Sequence, residues 1–340
     1  MHGEGAAVTE NEKTTARRKI TQSRGVGAVL TAYAGMVVIF IVFGIINPMV
    51  FSGQNVQNLL RSMSKYLLMG IGQSYVMITG NIDLSIGAVV GMSTMLCATM
   101  MTLGVPVWLA IIITFAAGMV IGLINGVLVG KFKLPPFIAT LGTMFVARGI
   151  GYMVNGNRNT DNIGIVLGKK TADNFQNFLY YNKFLGLYNT FWIALILFII
   201  FVFFIQRTRT GRHIYAIGSN VDAARLSGVN VFKTTTVTYL VAEFCSVITG
   251  LILCAQAGMG NMEAGNMYEM YGVAAGVIGG ISPLGGSGLL IGTFAGAGVW
   301  QILENGLNMI GAQVGIQRIV IGIIVVGAVL ISVVRENGKQ

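Results

Sequence analysis

Phe191-Trp192-Ile193-Ala194-Leu195-Ile196-Leu197-Phe198-Ile199-Ile200-Phe201-Val202-Phe203-Phe204-Ile205 contains no charge, no glycine and no proline. Such a stretch is apolar on every face of a helix, so it has no side to turn toward water. Hydrocarbon is the solvent it fits. Ile319 to Val334 is a second uncharged run, and the whole 340-residue chain shares the bias: 54% hydrophobic, 10% charged, mean hydropathy +0.74. A soluble domain carries roughly a quarter charged residues. This chain is read as all-α, a polytopic membrane helix bundle.

A bilayer core of about 30 Å takes roughly 20 helical residues per crossing. The pattern gives about ten crossings, near 27–46, 65–80, 86–103, 106–129, 136–153, 190–206, 233–256, 269–282, 286–303 and 317–334. Residues 47–64 read as a short polar outer segment beginning at Pro48. Residues 155–189 read as a longer outer segment with a small helix near 171–181. Lys and Arg accumulate on cytoplasmic loops near span ends. With the N-terminus inside, 14 of the 22 basic residues fall on inner segments, and both ends lie in the cytoplasm. The layout is then a tail at 1–25, a single membrane domain at 26–335 and a tail at 336–340, with an inner loop at 207–232 and an outer loop at 154–189. The first span is expected to be retained, because no small-residue cleavage site follows an apolar stretch of signal length.

The net charge of +10 is spread over short loops beside spans, which points to orientation and not to nucleic acid. Cys97, Cys245 and Cys254 all fall within spans and make neither a disulfide framework nor a metal pattern. His2 and His213 have no carboxylate or cysteine at ligand spacing, and no acid–base pair is evident. The Gly-rich run from Gly279 to Gly288 lacks the Lys-Ser or Lys-Thr ending of a phosphate loop, and the stretches before Gly130-Lys131 and Gly168-Lys169 also fail. No catalytic residue, metal or cofactor is expected in this chain. If ATP powers it, another chain binds the nucleotide.

Glycine marks the contacts. Gly118, Gly122, Gly126 and Gly130 recur every four residues, as do Gly288, Gly292 and Gly296, so each set lines one helical face as a packing seam. Thr79-Gly80-Asn81-Ile82-Asp83-Leu84-Ser85-Ile86-Gly87 interrupts an apolar stretch and predicts a broken helix, with Ser85 or Asp83 capping the span that follows. Asn81, Asp83 and Ser85 are therefore candidate hinge or path residues, with an ordinary helix cap as the plain alternative. Glu243 lies mid-span and must face the interior, be protonated or find a partner. It would be the coupling site of an ion-driven secondary transporter, the alternative reading of the chain.

The segment Arg209-Thr210-Gly211-Arg212-His213-Ile214-Tyr215-Ala216-Ile217-Gly218-Ser219-Asn220-Val221-Asp222-Ala223-Ala224-Arg225-Leu226-Ser227-Gly228 reads as a short inner helix. Asn220 caps it, Asp222 favours its first turn, Gly228 stops it, and Ala223 with Ala224 gives a smooth face suited to a partner's groove. This loop resembles the coupling segment of the ribose, galactose and xylose type of bacterial ABC sugar permeases. Thr79 to Gly91, Leu134-Pro135-Pro136-Phe137-Ile138-Ala139-Thr140-Leu141-Gly142-Thr143-Met144 and Tyr268-Glu269-Met270-Tyr271-Gly272-Val273-Ala274-Ala275-Gly276-Val277-Ile278-Gly279-Gly280 agree in order.

The resemblance implies a permease subunit in the bacterial cytoplasmic membrane that carries a monosaccharide. It implies a second permease copy, a cytoplasmic ABC ATPase with two fused nucleotide-binding halves that holds ATP and Mg, and an extracytoplasmic sugar-binding protein. Coupling would map onto Gly218, Asn220, Ala223, Ala224, Ser227 and Gly228, and Tyr268 and Glu269 would join the path. Family members commonly read Glu-Leu-Asp where this chain has Glu269-Met270-Tyr271.

Overall fold

The computed structural model describes residues 4–337. Its helices are α1 (Glu4–Ile46), α2 (Gly53–Ile78), α3 (Ile86–Thr102), α4 (Val107–Gly130), α5 (Pro136–Met153), α6 (Ile163–Leu167), α7 (Lys169–Gln176), α8 (Asn189–Arg207), α9 (Arg209–Ser219), α10 (Val221–Leu226), α11 (Val231–Ala257), α12 (Tyr268–Ile278), α13 (Ile291–Met309) and α14 (Val314–Asn337). Two short antiparallel strands, β1 (Lys183–Phe184) and β2 (Leu187–Tyr188), lie between α7 and α8. The chain is an all-α membrane helix bundle. Among the described residues, four stretches are long and apolar enough to cross a bilayer by length and composition: Gly25–Ile46, Val107–Gly130, Asn189–Arg207 and Val231–Ala257.

A helix stands at each of the ten expected stretches, with three differences. Residues 4–25, expected as a tail, are helical and continue into the first apolar stretch, while residues 1–3 and 338–340 of the expected tails lie outside the described residues. Residues 47–64 are mostly helix: Asn47 caps a 3₁₀ turn at Pro48–Phe51, Ser52 accepts from Asn55 N at 3.3 Å, and α2 starts at Gly53. The polar side chains that made this piece read as a loop have partners. Asn55 and Asn305 exchange amide hydrogen bonds at 3.1 and 3.0 Å, and the Arg61 guanidinium lies 4.7 and 4.1 Å from the ring centres of Tyr180 and Tyr188. Third, Gly288 is not on a helix. It sits in the loop before α13 at φ +109, where a Cβ would run into Ile281 and the Gly280 carbonyl, so the seam with Gly292 and Gly296 holds only for the last two.

α11 is the axis of the bundle and packs on α2, α3 and α4. Its approach to α4 follows the glycine seam: a Cβ on Gly122 would stand 3.1 Å from Glu243 Cγ and the Tyr239 carbonyl, and one on Gly126 2.7 Å from Thr236 Cα. Gly118 faces Val247, and Gly130 faces Phe232. Without a hydrophobic effect to drive helices together in lipid, such backbone-close contact supplies the dispersion that holds them. Gly292 and Gly296 let α13 approach the carbonyls of Gly279 and Ala275 at the end of α12 in the same way.

The loops gather at two ends. At one, Gly286 N donates to the Ile78 carbonyl at 2.8 Å and the Tyr215 hydroxyl donates to the Gly288 carbonyl at 2.8 Å, tying the turn after α2, helix α9 and the loop before α13 together. At the other, α6, α7 and a π-helical turn at Asn177–Tyr181 form a cap beside the end of α11.

Candidate functional site

Two interruptions of the helical pattern face each other inside the bundle. The first follows α2. Thr79 Oγ1 donates to the Val76 carbonyl, Asn81 Nδ2 donates to Thr79 Oγ1 at 2.9 Å, and the chain runs unhelical to Ser85. Ser85 occupies the cap position of α3 without a side-chain cap bond. Asp83 bonds to Ser85 itself, with Oδ1 accepting from Ser85 N at 2.8 Å and lying 2.6 Å from Ser85 Oγ, so the expected side-chain cap on the first turn of α3 is not formed.

Backbone groups released by a broken helix need partners in an apolar interior. The Gln73 amide, turned so that both ends are matched, donates to the Asp83 carbonyl at 3.1 Å and accepts from Asp83 N at 3.3 Å. Three further helices reach the same point. Asn125 of α4 donates from Nδ2 to Ser85 Oγ at 2.8 Å, Thr143 of α5 donates to Asn125 Oδ1 at 2.6 Å, and Glu243 Oε1 of α11 lies 2.8 Å from Ser85 Oγ. Asp83, Ser85, Asn125 and Glu243 are all fully buried.

The second interruption is the segment from Gly258 to Met267. α11 ends in a left-handed Gly258, and the chain then turns back along α3. Gly260 packs on Met95 and Ala98, Thr94 Oγ1 donates to the Asn261 carbonyl at 3.0 Å, Ala264 meets Gly91, and Gly265 meets Gly87 and Val90. The segment therefore descends toward the first turn of α3 before α12 begins. Arg148 of α5, a charge inside a predicted span, holds it by donating from Nη1 to the carbonyls of Met262 and Ala264 at 3.2 and 2.9 Å. The 154–189 loop grips the same segment through Thr160 Oγ1, which accepts from Gly260 N at 2.8 Å, Asn159, which accepts from Met262 N at 2.9 Å, and Ile163 N, which donates to the Gly258 carbonyl.

A cavity of about 410 Å³ opens beside this segment, lined by Thr94, Gln256, Asn261, Glu263, Asn266 and Tyr268 among others. Tyr268 begins α12, and its ring lies 5.5 Å from Tyr271, which in turn lies 4.8 Å from Trp300. Glu269 reaches Gly87 at the start of α3. The structure thus brings Asp83 and Ser85 of the first break close to Glu269 of α12, which meets Gly87 beside Gly265 of the second break, with Tyr268 next to it at the start of α12, while Asn81 stays at the end of α2 with Thr79 as its side-chain partner. Sequence reading missed Gln73, Asn125, Thr143 and the grip of Arg148. Asn125 carried a signal in retrospect, a lone amide within a seam of glycines.

The segment read as a docking helix lies at the end that holds the turn after α2. Asn220 Oδ1 accepts from Asp222 N and Ala223 N at 3.0 and 2.9 Å, α10 runs to Leu226, and Gly228 follows at φ +83. Gly218 lies against the Ile78 carbonyl and Gly286 N, so it joins this helix pair to the first break. Ala224 is 5% exposed and faces the chain's own bundle, so the free face is carried by Ala223 and by Leu226, which is 90% exposed.

The model of the family described as branched-chain amino acid transport system / permease component matches residues 55–329. The chain belongs to this family. Curated relatives are similar over almost their full length. The ribose import permease of Bacillus subtilis is 35% identical over 324 residues, covering 95% of this chain and 98% of the relative. That of Haemophilus influenzae is 34% identical over 300 residues, covering 88% and 91%. The galactose/methyl galactoside import permease of Haemophilus influenzae is 31% identical, covering 89% and 94%. No solved structure matches the chain.

Proposed function

We propose that this chain is the membrane-spanning subunit of an ATP-driven importer that moves a monosaccharide across the bacterial cytoplasmic membrane. The observation that carries the reading is full-length similarity to import permeases for ribose and galactose. The interior is consistent with it. A neutral polyol needs hydrogen-bonding groups along its route but no fixed charge, and the cavity wall carries such groups on Thr94, Gln256, Asn261 and Asn266. The cavity beside Asn261, Glu263 and Asn266 is of a size for a small ligand.

The chain supplies no catalytic residue in this reading. ATP and Mg sit on a separate ATPase with fused nucleotide-binding halves, a second permease copy completes the pore, and an extracytoplasmic sugar-binding protein delivers the solute. The chain crosses the membrane ten times with both ends in the cytoplasm, and α10 meets the ATPase. The test is uptake into proteoliposomes that contain the permease and its ATPase, with the binding protein outside and a panel of labelled pentoses and hexoses. Accumulation that needs ATP and both partners is the expected result. Uptake driven by a proton or sodium gradient with no ATPase present overturns it in favour of a secondary transporter.

A further inference from the structure

Ser85 Oγ has one hydrogen to give and two lone pairs to receive. Three polar atoms lie against it: Asp83 Oδ1 at 2.6 Å, Glu243 Oε1 at 2.8 Å and Asn125 Nδ2 at 2.8 Å. Asn125 donates into one lone pair, and the Ser85 hydrogen goes to one carboxylate. The remaining carboxylate oxygen then faces a lone pair unless it carries a hydrogen of its own. Turning the Asn125 amide over makes the count worse, since Ser85 would then face three oxygens, and it would also break the Thr143 bond to Asn125 Oδ1.

No cation among the described residues is paired with either acid. Among the described residues the side-chain ion pair is Arg225 with Asp222, on the surface. What faces the two acids is neutral: Gln73 from α2, Asn125 from α4, Thr143 from α5, and Tyr239, Cys245 and Ser246 from α11. Asp83 Oδ2, Glu243 Oε2 and the Tyr239 hydroxyl, one turn before Glu243, have no hydrogen-bond partner among the described residues and are closed to solvent. Two ionised carboxylates on one hydroxyl, buried and unpaired with a cation, would repel at close range in a weakly screening medium.

We propose that Asp83 and Glu243 form a proton-binding site: one proton is held between them, resident on Glu243 and donated to Ser85 Oγ. Glu243 is the carrier because Asp83 Oδ1 already accepts the Ser85 N–H and takes the Ser85 hydroxyl hydrogen as well. The proton closes a hydrogen-bond chain from α11 through Ser85 to the unhelical segment after α2 and on to α4 and α5. Glu243 is thereby a positioning residue that fixes the first break, fully buried in the bundle.

The test uses the full-length chain in detergent or nanodiscs. Infrared spectra of wild type at neutral pH should show the C=O band of a protonated carboxyl, absent from Glu243→Gln. A permanent Nε2 donor should replace the proton, so Glu243→Gln should keep its thermal midpoint unchanged between pH 6 and 9. Wild type should lose midpoint as pH rises, because the native state holds a proton that the unfolded chain releases. Glu243→Ala should be destabilised at every pH. If Glu243→Gln cannot be purified, the wild-type band and pH profile still decide. A missing band, a flat wild-type profile, or stabilisation of wild type by added sodium or potassium at fixed pH would overturn the proposal, the last in favour of a metal cation.

Discussion

Arg148 is one guanidinium doing the work of a missing helix. Two carbonyls of the 258–267 segment, at Met262 and Ala264, point at it and have left the helical ladder. An unsatisfied carbonyl costs on the order of 1–3 kcal/mol when fully buried and less at half-buried Met262 and Ala264, and a charged donor contributes more than a neutral one. Replacing Arg148 with Met should leave both carbonyls bare, release the segment from the cavity wall and lower uptake by about tenfold or more, since roughly 1.4 kcal/mol is a factor of ten in a population. The measurement is uptake rate at matched membrane abundance. A rate within a factor of two of wild type would mean that the segment is held by the outer loop alone. Gly126 gives the opposite kind of test. Leu at this position would press a side chain into the backbone of Thr236, so Gly126→Leu should abolish assembly of α4 on α11 and drop the yield of folded protein. A normal yield would show that α4 can shift outward without cost.

Helices were legible at the level of elements wherever one kind of residue dominated. The uniform run from Phe191 to Ile205 became the interior of α8, and Pro136 to Met153 became α5 at the expected bounds. Errors arose where polar residues are satisfied by distant partners that a local pattern cannot show: Asn55 looks like a loop residue until Asn305 is opposite it, and Gly288 looks helical until the left-handed turn is seen. The junction at Ser85 was half legible, because Asp83 and Ser85 break the pattern locally while Asn125, Thr143 and Glu243 arrive from separate helices. For α10 the cap, the stop and the shortness were readable, but the face was not. Ala224 turns inward and Leu226 outward, so the informative substitution is Leu226→Asp. It places a charge where an apolar anchor would dock, and hot-spot anchors cost about 2 kcal/mol or more when removed. ATPase co-purification and ATP-driven uptake should fall together while membrane insertion is unchanged. Wild-type association would place the docking contact elsewhere on the 207–232 segment.

At the scale of the whole molecule, the two ends of the bundle differ in charge, and that difference gives an expectation for the side of the membrane each one faces. The end built from the turn after α2, the α4–α5 connection and helices α9 and α10 carries Lys131, Lys133, Arg207, Arg209, Arg212, Arg225 and Lys233. The opposite end carries Arg158, Lys169, Lys170 and Lys183 around α6, α7 and the hairpin, with Arg61 packed on Tyr180 and Tyr188. Lys and Arg near span ends are retained on the cytoplasmic side during insertion, so the first end is expected inside. Impermeant thiol labelling tests this well here, because Cys97, Cys245 and Cys254 are all buried and give little background. A cysteine at Asp222, whose side chain is 78% exposed, should react only after the membrane is opened, and one at exposed Lys170 should react in intact cells. Both sites sit on short helices outside the core, so neither substitution should disturb packing. Reaction of the Asp222→Cys thiol in intact cells would turn the bundle over. It would place α10 beyond the reach of a cytoplasmic ATPase, and the energy source of the importer would have to be sought elsewhere.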